Sequence, residues 1–152
     1  MIDAQVARFL EEGLDIHIGT RNGQLQPNGA RAIAATVEAD GQHIVVYVAR
    51  IAAARLLPDL ESNGLAAVSF ARATDDRACQ VKGEVLHVRP ATETDRQLMT
   101  AQSAGALEKL ERIGIPRAIF AAWANWPAVA IRLRVTALFD QTPGPRAGTV
   151  ME

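Results

Sequence analysis

Three arginines adjoin apolar segments and have the chemistry to bind a phosphate group. Arg31 interrupts the small, apolar segment ARAIAAT, Arg50 follows the run HIVVYVA, and Arg55 lies near the start of the helix predicted after that run. A phosphomonoester carries close to two negative charges, and forked guanidinium donors can bind it at two points. Solvated or ion-paired arginines fit the same residues, so the spacing leaves both interpretations open.

Histidine and cysteine give no comparable pattern. His17, His43 and His87 fall on three different predicted strands, and none is paired at a metal-ligand spacing, which favours structural or solvated side chains. Cys79 lies within a predicted strand, which favours a small buried packing residue over a nucleophile. The sequence also contains no nucleophile-elbow, Walker, dinucleotide or H-E-x-x-H motif.

Two tryptophans offer a second feature for ligand binding. Trp123 and Trp126 flank Asn125 just before the last predicted strand. Their rings either close the end of a barrel or line a site for a flat aromatic ligand, where stacking contributes about 0.5–1.5 kcal/mol beyond area burial. Both interpretations remain open.

Composition narrows the class of protein. The 152 residues suit one domain, and 16 basic against 17 acidic side chains give a net charge of −1. This balance argues against a nucleic-acid-binding protein that works by bulk attraction to phosphate. No segment reaches the roughly 20 apolar residues of a membrane span, and the start has no signal-peptide pattern. The single cysteine excludes an internal disulfide. Together these features predict a soluble cytoplasmic protein without nucleic-acid or membrane partners.

The apolar pattern predicts six strands joined mainly by hairpins. Short turn signals, Asn22-Gly23, Asp40-Gly41 and Thr74-Asp75-Asp76, separate runs of alternating or continuous apolar residues. The predicted strands cover residues 14–18, 29–38, 43–49, 65–71, 79–88 and 128–139. Short hairpins favour an antiparallel sheet, and six strands in a chain of this size favour a barrel.

Four helical segments flank these strands. Asp3 should cap a helix that ends at Gly13, and Thr92 with Asp95 should cap one that runs to about residue 112. A third covers 52–62 with a kink or restart at Pro58, and a fourth covers 116–124. Residues 1–140 therefore form the predicted domain, and the Pro/Gly-rich residues 141–152 form an extended tail.

This order of elements resembles the FMN-binding split β-barrels of the pyridoxamine 5′-phosphate oxidase-like family, from about residue 3 to residue 148. The features that carry the resemblance are RAIAAT, the Asp-Gly hairpin, IVVYVA, the helix with Arg55, the pair VSFA and CQVKGEV, and DQTPGPRAG. The resemblance implies a mainly β fold with flanking helices: a six-stranded antiparallel split β-barrel of the FMN-binding type.

The resemblance also implies a set of cofactor-binding residues. The strand that begins with the phosphate-binding arginine would lie along the flavin, the next strand and helix would add contacts, and a hairpin glutamine would reach the ring. The implied residues are Arg31, Ala32, Ile33, Ala34, Thr36, Tyr47, Val48, Arg55 and Gln80.

Three positions depart from the family pattern. Ala54 and Leu56 stand where the family often has serine and lysine beside the arginine, which removes one cation from the phosphate site. Alignment on Gly83 places Ala78 at the glutamine position, so Gln80 would reach the flavin only with shifted geometry.

The implied function is that of an FMN-binding flavoprotein, a flavin-dependent oxidoreductase that acts on a small molecule as a homodimer with the flavin between subunits. The chain ends in TPGPRAGTVME and lacks the Arg-Leu-Ala-Pro-like segment that holds substrate in true pyridoxamine phosphate oxidases, so vitamin B6 oxidation is not expected. The alternative is a non-enzymatic split barrel that binds or senses haem, a deazaflavin or another ligand. Haem would need an axial ligand from His17, His43 or His87.

Overall fold

The computed structural model describes residues 1–120 and 122–151, and within them it contains seven strands and four α-helices. The strands are β1 Asp15–Arg21, β2 Pro27–Ala32, β3 Ala34–Val37, β4 His43–Ala49, β5 Leu65–Ala71, β6 Ala78–Pro90 and β7 Ala128–Asp140. The α-helices are α1 Ala4–Glu11, α2 Arg50–Ala53, α3 Leu57–Asn63 and α4 Glu93–Arg112, followed by a 3₁₀ turn at Arg117–Phe120.

All strand pairs are antiparallel, and the sheet order is β2-β1-β5-β6-β7-β4-β3. The two edge strands, β2 and β3, are consecutive in the chain, so the sheet curls until its edges meet at one residue. This confirms the predicted mainly β, antiparallel split-barrel fold with flanking helices. We call the place where β2 passes into β3 the seam.

The barrel has seven strands where six were predicted, because the predicted strand 29–38 divides at Ile33. Up to that residue the segment pairs with β1, and after it the segment pairs with β4. The amide of Ile33 donates to the carbonyl of Tyr47 at 2.8 Å, which fixes the crossover. The break also shifts the inside–outside alternation: Ala32 and Ala35 face the main core, whereas Ala34 joins the cluster under α4.

Two apolar clusters hold the fold together. The barrel interior is filled by aliphatic side chains and one phenylalanine, among them Ile16, Ile18, Val46, Val48, Phe70 and Ile131, each fully buried. A second, smaller cluster lies between α4 and the outer face of the sheet and contains Ala34, Tyr47, Met99, Ala128 and Ala130. Helix α4 is therefore anchored across β3, β4 and β7.

The backbone groups on the unpaired edge of β3 form hydrogen bonds with side chains instead of with another strand. The amide group of Gln102 on α4 accepts from the backbone N–H of Ala35 at 3.0 Å and donates to its carbonyl at 2.8 Å. The carboxylate of Glu11 accepts from the N–H of Val37 at 2.7 Å. Covering the edge in this way prevents it from pairing with a strand of another chain.

Helices α1 and α4 approach closely at one glycine. Gly13 has φ +78°, and a Cβ there would lie 2.3 Å from the carbonyl oxygen of Gln102. Lys109 fills the end of α1 by donating to the carbonyls of Glu12 at 2.8 Å and Gly13 at 3.0 Å. The predicted end of the first helix at Gly13 thus has a packing reason as well as a conformational one.

The helix caps follow the prediction, with local differences elsewhere. Asp3 accepts from two N–H groups of α1, and Thr92 with Asp95 forms a capping box at α4. The predicted helix 52–62 is two short helices, since Pro58 begins a new helix in the first turn of α3. The predicted helix 116–124 is only the 3₁₀ turn Arg117–Phe120.

Two turns also differ from the sequence patterns. The first hairpin has a five-residue loop, with Leu25 at φ +63°, in place of a tight Asn-Gly turn. The oxygen of the Asn22 side chain accepts from two backbone N–H groups and sets that longer loop. After β7 the chain turns back, and Val150 pairs with Phe139, whereas the sequence predicts an extended tail. None of the helices in the described ranges is both long and apolar enough to cross a membrane.

Candidate functional site

An open cavity of about 380 Å³ lies at the seam. Its walls come from the sheet edge, from the start of α2, from one face of α4 and from the segment that follows the 3₁₀ turn. The lining residues are Leu14, Arg31, Ala32, Ile33, Ala49, Ile51, Ala52, Ser103, Ala106, Leu107, Phe120, Ala122, Trp123, Ala124 and Asn125.

Arg31 is the charged residue of this lining. Its side chain is 30% exposed, and Nη1 lies 2.9 Å from Oδ1 of Asp15 on β1. The guanidinium carbon Cζ lies over the ring of Trp123, 4.3 Å from its centroid, and 5.7 Å from the centroid of the Phe120 ring. Burial lowers the pKa of Arg31 and Asp15 opposes that shift, but an arginine stays charged at any physiological pH.

The ion pair leaves hydrogen-bonding capacity unused on both sides. In the part of the chain that the structure describes, no N–H of the Arg31 side chain makes a hydrogen bond to the protein. Oδ1 of Asp15 is buried and likewise has no hydrogen-bond partner there, since the 2.9 Å contact lacks hydrogen-bonding geometry. Buried or half-buried polar groups normally find partners, so this guanidinium is a candidate binding group for a ligand.

Of the predicted cofactor-binding residues, Arg31, Ala32 and Ile33 line the cavity. Ala34 and Val48 are fully buried, the first under α4 and the second in the barrel interior. Their side chains are therefore covered.

Tyr47 and Thr36 do not reach the cavity either. Tyr47 is 4% exposed, its hydroxyl donates to Asp95 at 3.1 Å, and burial raises its pKa. Arg89 donates to the same carboxylate at 2.6 Å, so Asp95 ties the sheet to the start of α4. Thr36 lies half-buried on β3, opposite Val45.

Arg55 and Gln80 lie apart from the cavity wall. Arg55 is exposed in the link between α2 and α3 and is not among the lining residues. Gln80 lies on the outer face of β6, in a cross-strand row that runs through Ser69 and His17 to Arg31. This row borders a shallow depression of about 390 Å³.

The sequence did not single out the ion-pair partner of Arg31 or several of the lining residues. Asp15 is diagonal to Arg31 across the β1–β2 pair, a relation that the strand register would have given. Ser103, Ala106 and Leu107 reach the seam only because α4 crosses β3, and no local pattern signals that crossing. Of the two tryptophans, Trp123 lines the cavity.

His43 and Cys79 have structural surroundings that explain them. Nδ1 of His43 lies 2.6 Å from Asp40, whose neighbour Glu38 is bound at two points by Arg132 at 2.6 and 2.7 Å. Burial raises the pKa of Cys79 to about 12, which fits a packing residue.

Comparison with known proteins gives the fold. The sequence matches no family model and no curated protein. The structure resembles a solved F420 Reductase, with TM-score 0.57 and 19% identity over 86% of this chain and 92% of that one. It also resembles an FMN-binding protein from Syntrophomonas wolfei, with TM-score 0.55 and 13% identity over 88% of this chain and 82% of that one.

A third similar structure is a putative pyridoxamine 5′-phosphate oxidase from Lactobacillus delbrueckii, with TM-score 0.57 and 12% identity over 91% of this chain and 93% of that one. All three resemblances extend over most of both chains, and they agree with the seven-stranded, curled antiparallel sheet and its flanking helices. The chain therefore has the split β-barrel fold of the pyridoxamine 5′-phosphate oxidase-like proteins, as its sequence predicted.

Proposed function

We propose that this protein binds FMN at the seam and acts as a flavin-dependent oxidoreductase on a small molecule. One observation carries the proposal: the half-buried guanidinium of Arg31 has unused donors on the wall of a largely apolar cavity. Two of the similar structures, an F420 Reductase and an FMN-binding protein, support a flavin-type ligand on this fold.

The lining fits the two parts of FMN. A cavity of about 380 Å³ is within the usual range for cofactor sites, roughly 300–1,000 Å³. Ile33, Ala106 and Leu107 give apolar surface for a tricyclic ring, and Trp123 offers an aromatic edge. Arg31 would bind the phosphate through charge-assisted hydrogen bonds. A bound flavin supplies the redox chemistry, and the chain's own residues bind it, orient it and exclude water.

We further propose that a second copy of the chain completes the site. Large apolar side chains lie exposed at the rim of the cavity: Ile51 at 78%, Trp123 at 43% and, on the same segment, Trp126 at 37%. Exposed apolar groups clustered beside a polar binding site are typical of an interface. A homodimer would cover them and bring the outer face that carries Gln80 toward a neighbouring cavity.

The decisive test is the absorbance spectrum of the freshly purified protein, followed by titration of FMN fluorescence. We expect either bound flavin or quenching of added FMN at micromolar concentrations. Replacement of Arg31 by Gln should weaken FMN binding by roughly tenfold or more, because charge-assisted hydrogen bonds contribute about 1.5–3 kcal/mol. The matched control is Arg134→Gln, an outward-facing strand arginine paired with Glu84 far from the cavity lining. A colourless protein that leaves FMN fluorescence unchanged refutes the proposal.

A second candidate is a non-enzymatic protein that binds a deazaflavin. The match to F420 Reductase supports the ligand but not the lack of catalysis. The fully buried Leu56, which stands where the family often has a lysine, favours a ligand-binding protein over a flavin enzyme. Haem is less well supported, since no histidine is among the described residues that line the cavity. Titration with a deazaflavin separates the first case from FMN, and a Soret band that is lost on replacing one histidine would identify the haem case.

A further inference from the structure

Asp15 occupies the position from which it can control the charge of the cavity. It lies on β1, diagonal to Arg31, with its Oδ1 2.9 Å from Nη1 of Arg31. Nδ1 of His17 lies 3.8 Å from the other carboxylate oxygen, but that histidine side chain is 58% exposed. In the described chain, the group that balances the Asp15 carboxylate at contact distance is thus Arg31.

We propose that Asp15 is a specificity determinant: its carboxylate weakens the preference that Arg31 gives to a doubly ionised phosphate, such as that of FMN, over the same planar ring with less negative charge. The proposal rests on the proposed function for the identity of the ring, FMN or a related flavin. It goes beyond that function by assigning a role to a residue outside the set that the family resemblance implies.

Asp15 affects the charge of Arg31 but leaves its N–H donors available for a ligand. Asp15 offsets part of the positive charge that an anion would meet, yet it does not take up the guanidinium donors in hydrogen-bonding geometry. A ligand oxygen can therefore still accept from Arg31. A second negative charge on that ligand would lie close to the carboxylate and be repelled by it.

The surroundings keep both groups in place. The guanidinium of Arg31 lies over the ring of Trp123, and the β1–β2 pairing holds the two backbones in register. Oδ1 of Asp15 is buried, so the carboxylate cannot relieve the repulsion by turning that oxygen into water without leaving its ion pair. The charge at the seam is for this reason a fixed property of the site.

The test compares FMN with riboflavin, which lacks the phosphate, on the full-length protein. Dissociation constants for both ligands are measured by fluorescence quenching for the wild type and Asp15→Asn. We expect the ratio of FMN affinity to riboflavin affinity to rise by roughly tenfold in Asp15→Asn, the effect of removing one partly screened charge near the phosphate. Because both ligands are measured on the same sample, a loss of folded protein cancels from the ratio.

Two further variants separate this effect from a general change of charge. Asp75→Asn removes a carboxylate from a comparable ion pair, with Arg72 at 2.7 Å, at a turn outside the cavity lining, and it should leave the ratio unchanged. Asp15→Asn combined with Arg31→Gln should lose the gain, because the phosphate then has no cation to use. An unchanged ratio in Asp15→Asn, or a gain that survives the loss of Arg31, overturns the proposal.

A failure of the proposed function gives a different result. If no variant binds either flavin, the proposed function is wrong, and inorganic phosphate becomes the probe. A larger rise in melting temperature with phosphate for Asp15→Asn than for the wild type supports the role of Asp15, and equal rises overturn it.

Discussion

Gln102 gives the sharpest test of how the cavity is built. Its side chain is 9% exposed and makes two hydrogen bonds to the backbone of Ala35, which is 1% exposed and lies on the edge strand β3. The neighbouring residue Ser103 lines the cavity, so the same contact fixes the edge of the barrel and one wall of the site. We expect Gln102→Leu to damage both.

The size of the loss in stability follows from the polar groups that the substitution leaves without a hydrogen-bond partner. Leucine is close in size but cannot hydrogen-bond, so the N–H and the carbonyl of Ala35 both stay buried without a partner. Each such group costs about 1–3 kcal/mol, and added apolar burial offsets part of the loss. We therefore expect the free energy of unfolding to fall by about 2–4 kcal/mol, which corresponds to a decrease in melting temperature of about 5–15 °C for a chain of this size.

Urea denaturation followed by circular dichroism measures the effect, with Gln97→Leu as the matched control. Gln97 lies on the same helix but is exposed, so its replacement should change stability by less than about 0.5 kcal/mol. Gln102→Leu should also weaken FMN binding, whereas Gln97→Leu should not. Equal unfolding midpoints for the two variants, with unchanged slopes, would show that α4 does not hold the edge of β3.

Two further predictions concern ionisable groups. Hydrogen bonds, first from Arg89 and then from Thr92 and Tyr47, hold the pKa of Asp95 well below its usual range. The ionised carboxylate therefore stabilises the fold at a pH above its unfolded pKa of about 3.9. That contribution is lost as the pH falls toward the lowered pKa of the folded state. The free energy of unfolding of the wild type should therefore exceed that of Asp95→Asn by about 1–3 kcal/mol at neutral pH. This difference should become smaller below about pH 4. A difference that grows in acid would contradict the prediction. Cys79, whose pKa is raised to about 12 by burial, should react with a thiol reagent at pH 8 roughly a hundredfold or more slowly in native buffer than in urea, and equal rates would show that it is accessible.

The elements were predictable where local chemistry determines them. The β-branched run of β4 and the strand β5 have the predicted bounds, since continuous or alternating apolar residues next to turn signals specify a strand without reference to its neighbours. The caps at Asp3 and Thr92 were equally local. The division at Ile33 was not, because the residues on both sides are compatible with a strand and only pairing with β1 or β4 separates them.

The site was predictable only in part, for the same reason. Arg31 stood out as a charge in an apolar strand, and it lies on the cavity wall. Tyr47 and Val48 were named from a resemblance that gives position along the strand but not what covers each face, and here α4 and the core cover them. Asp15, the closest charged neighbour of Arg31, required the register of the β1–β2 pair.

The location of the site follows from the way in which the barrel closes. Since β2 and β3 leave the sheet at opposite edges and meet at Ile33, no strand covers the seam, and α4 and the residues around Trp123 fill the space beside it incompletely. An opening is thus a consequence of the topology, and apolar side chains form most of its lining. What distinguishes this chain is the pair of charged side chains at the opening: the guanidinium of Arg31 and, 2.9 Å from it, the carboxylate of Asp15. If the opening is fixed by the fold and the charge by Arg31 and Asp15, then substitutions at those two residues should change which flavin is bound while the barrel itself is unaltered.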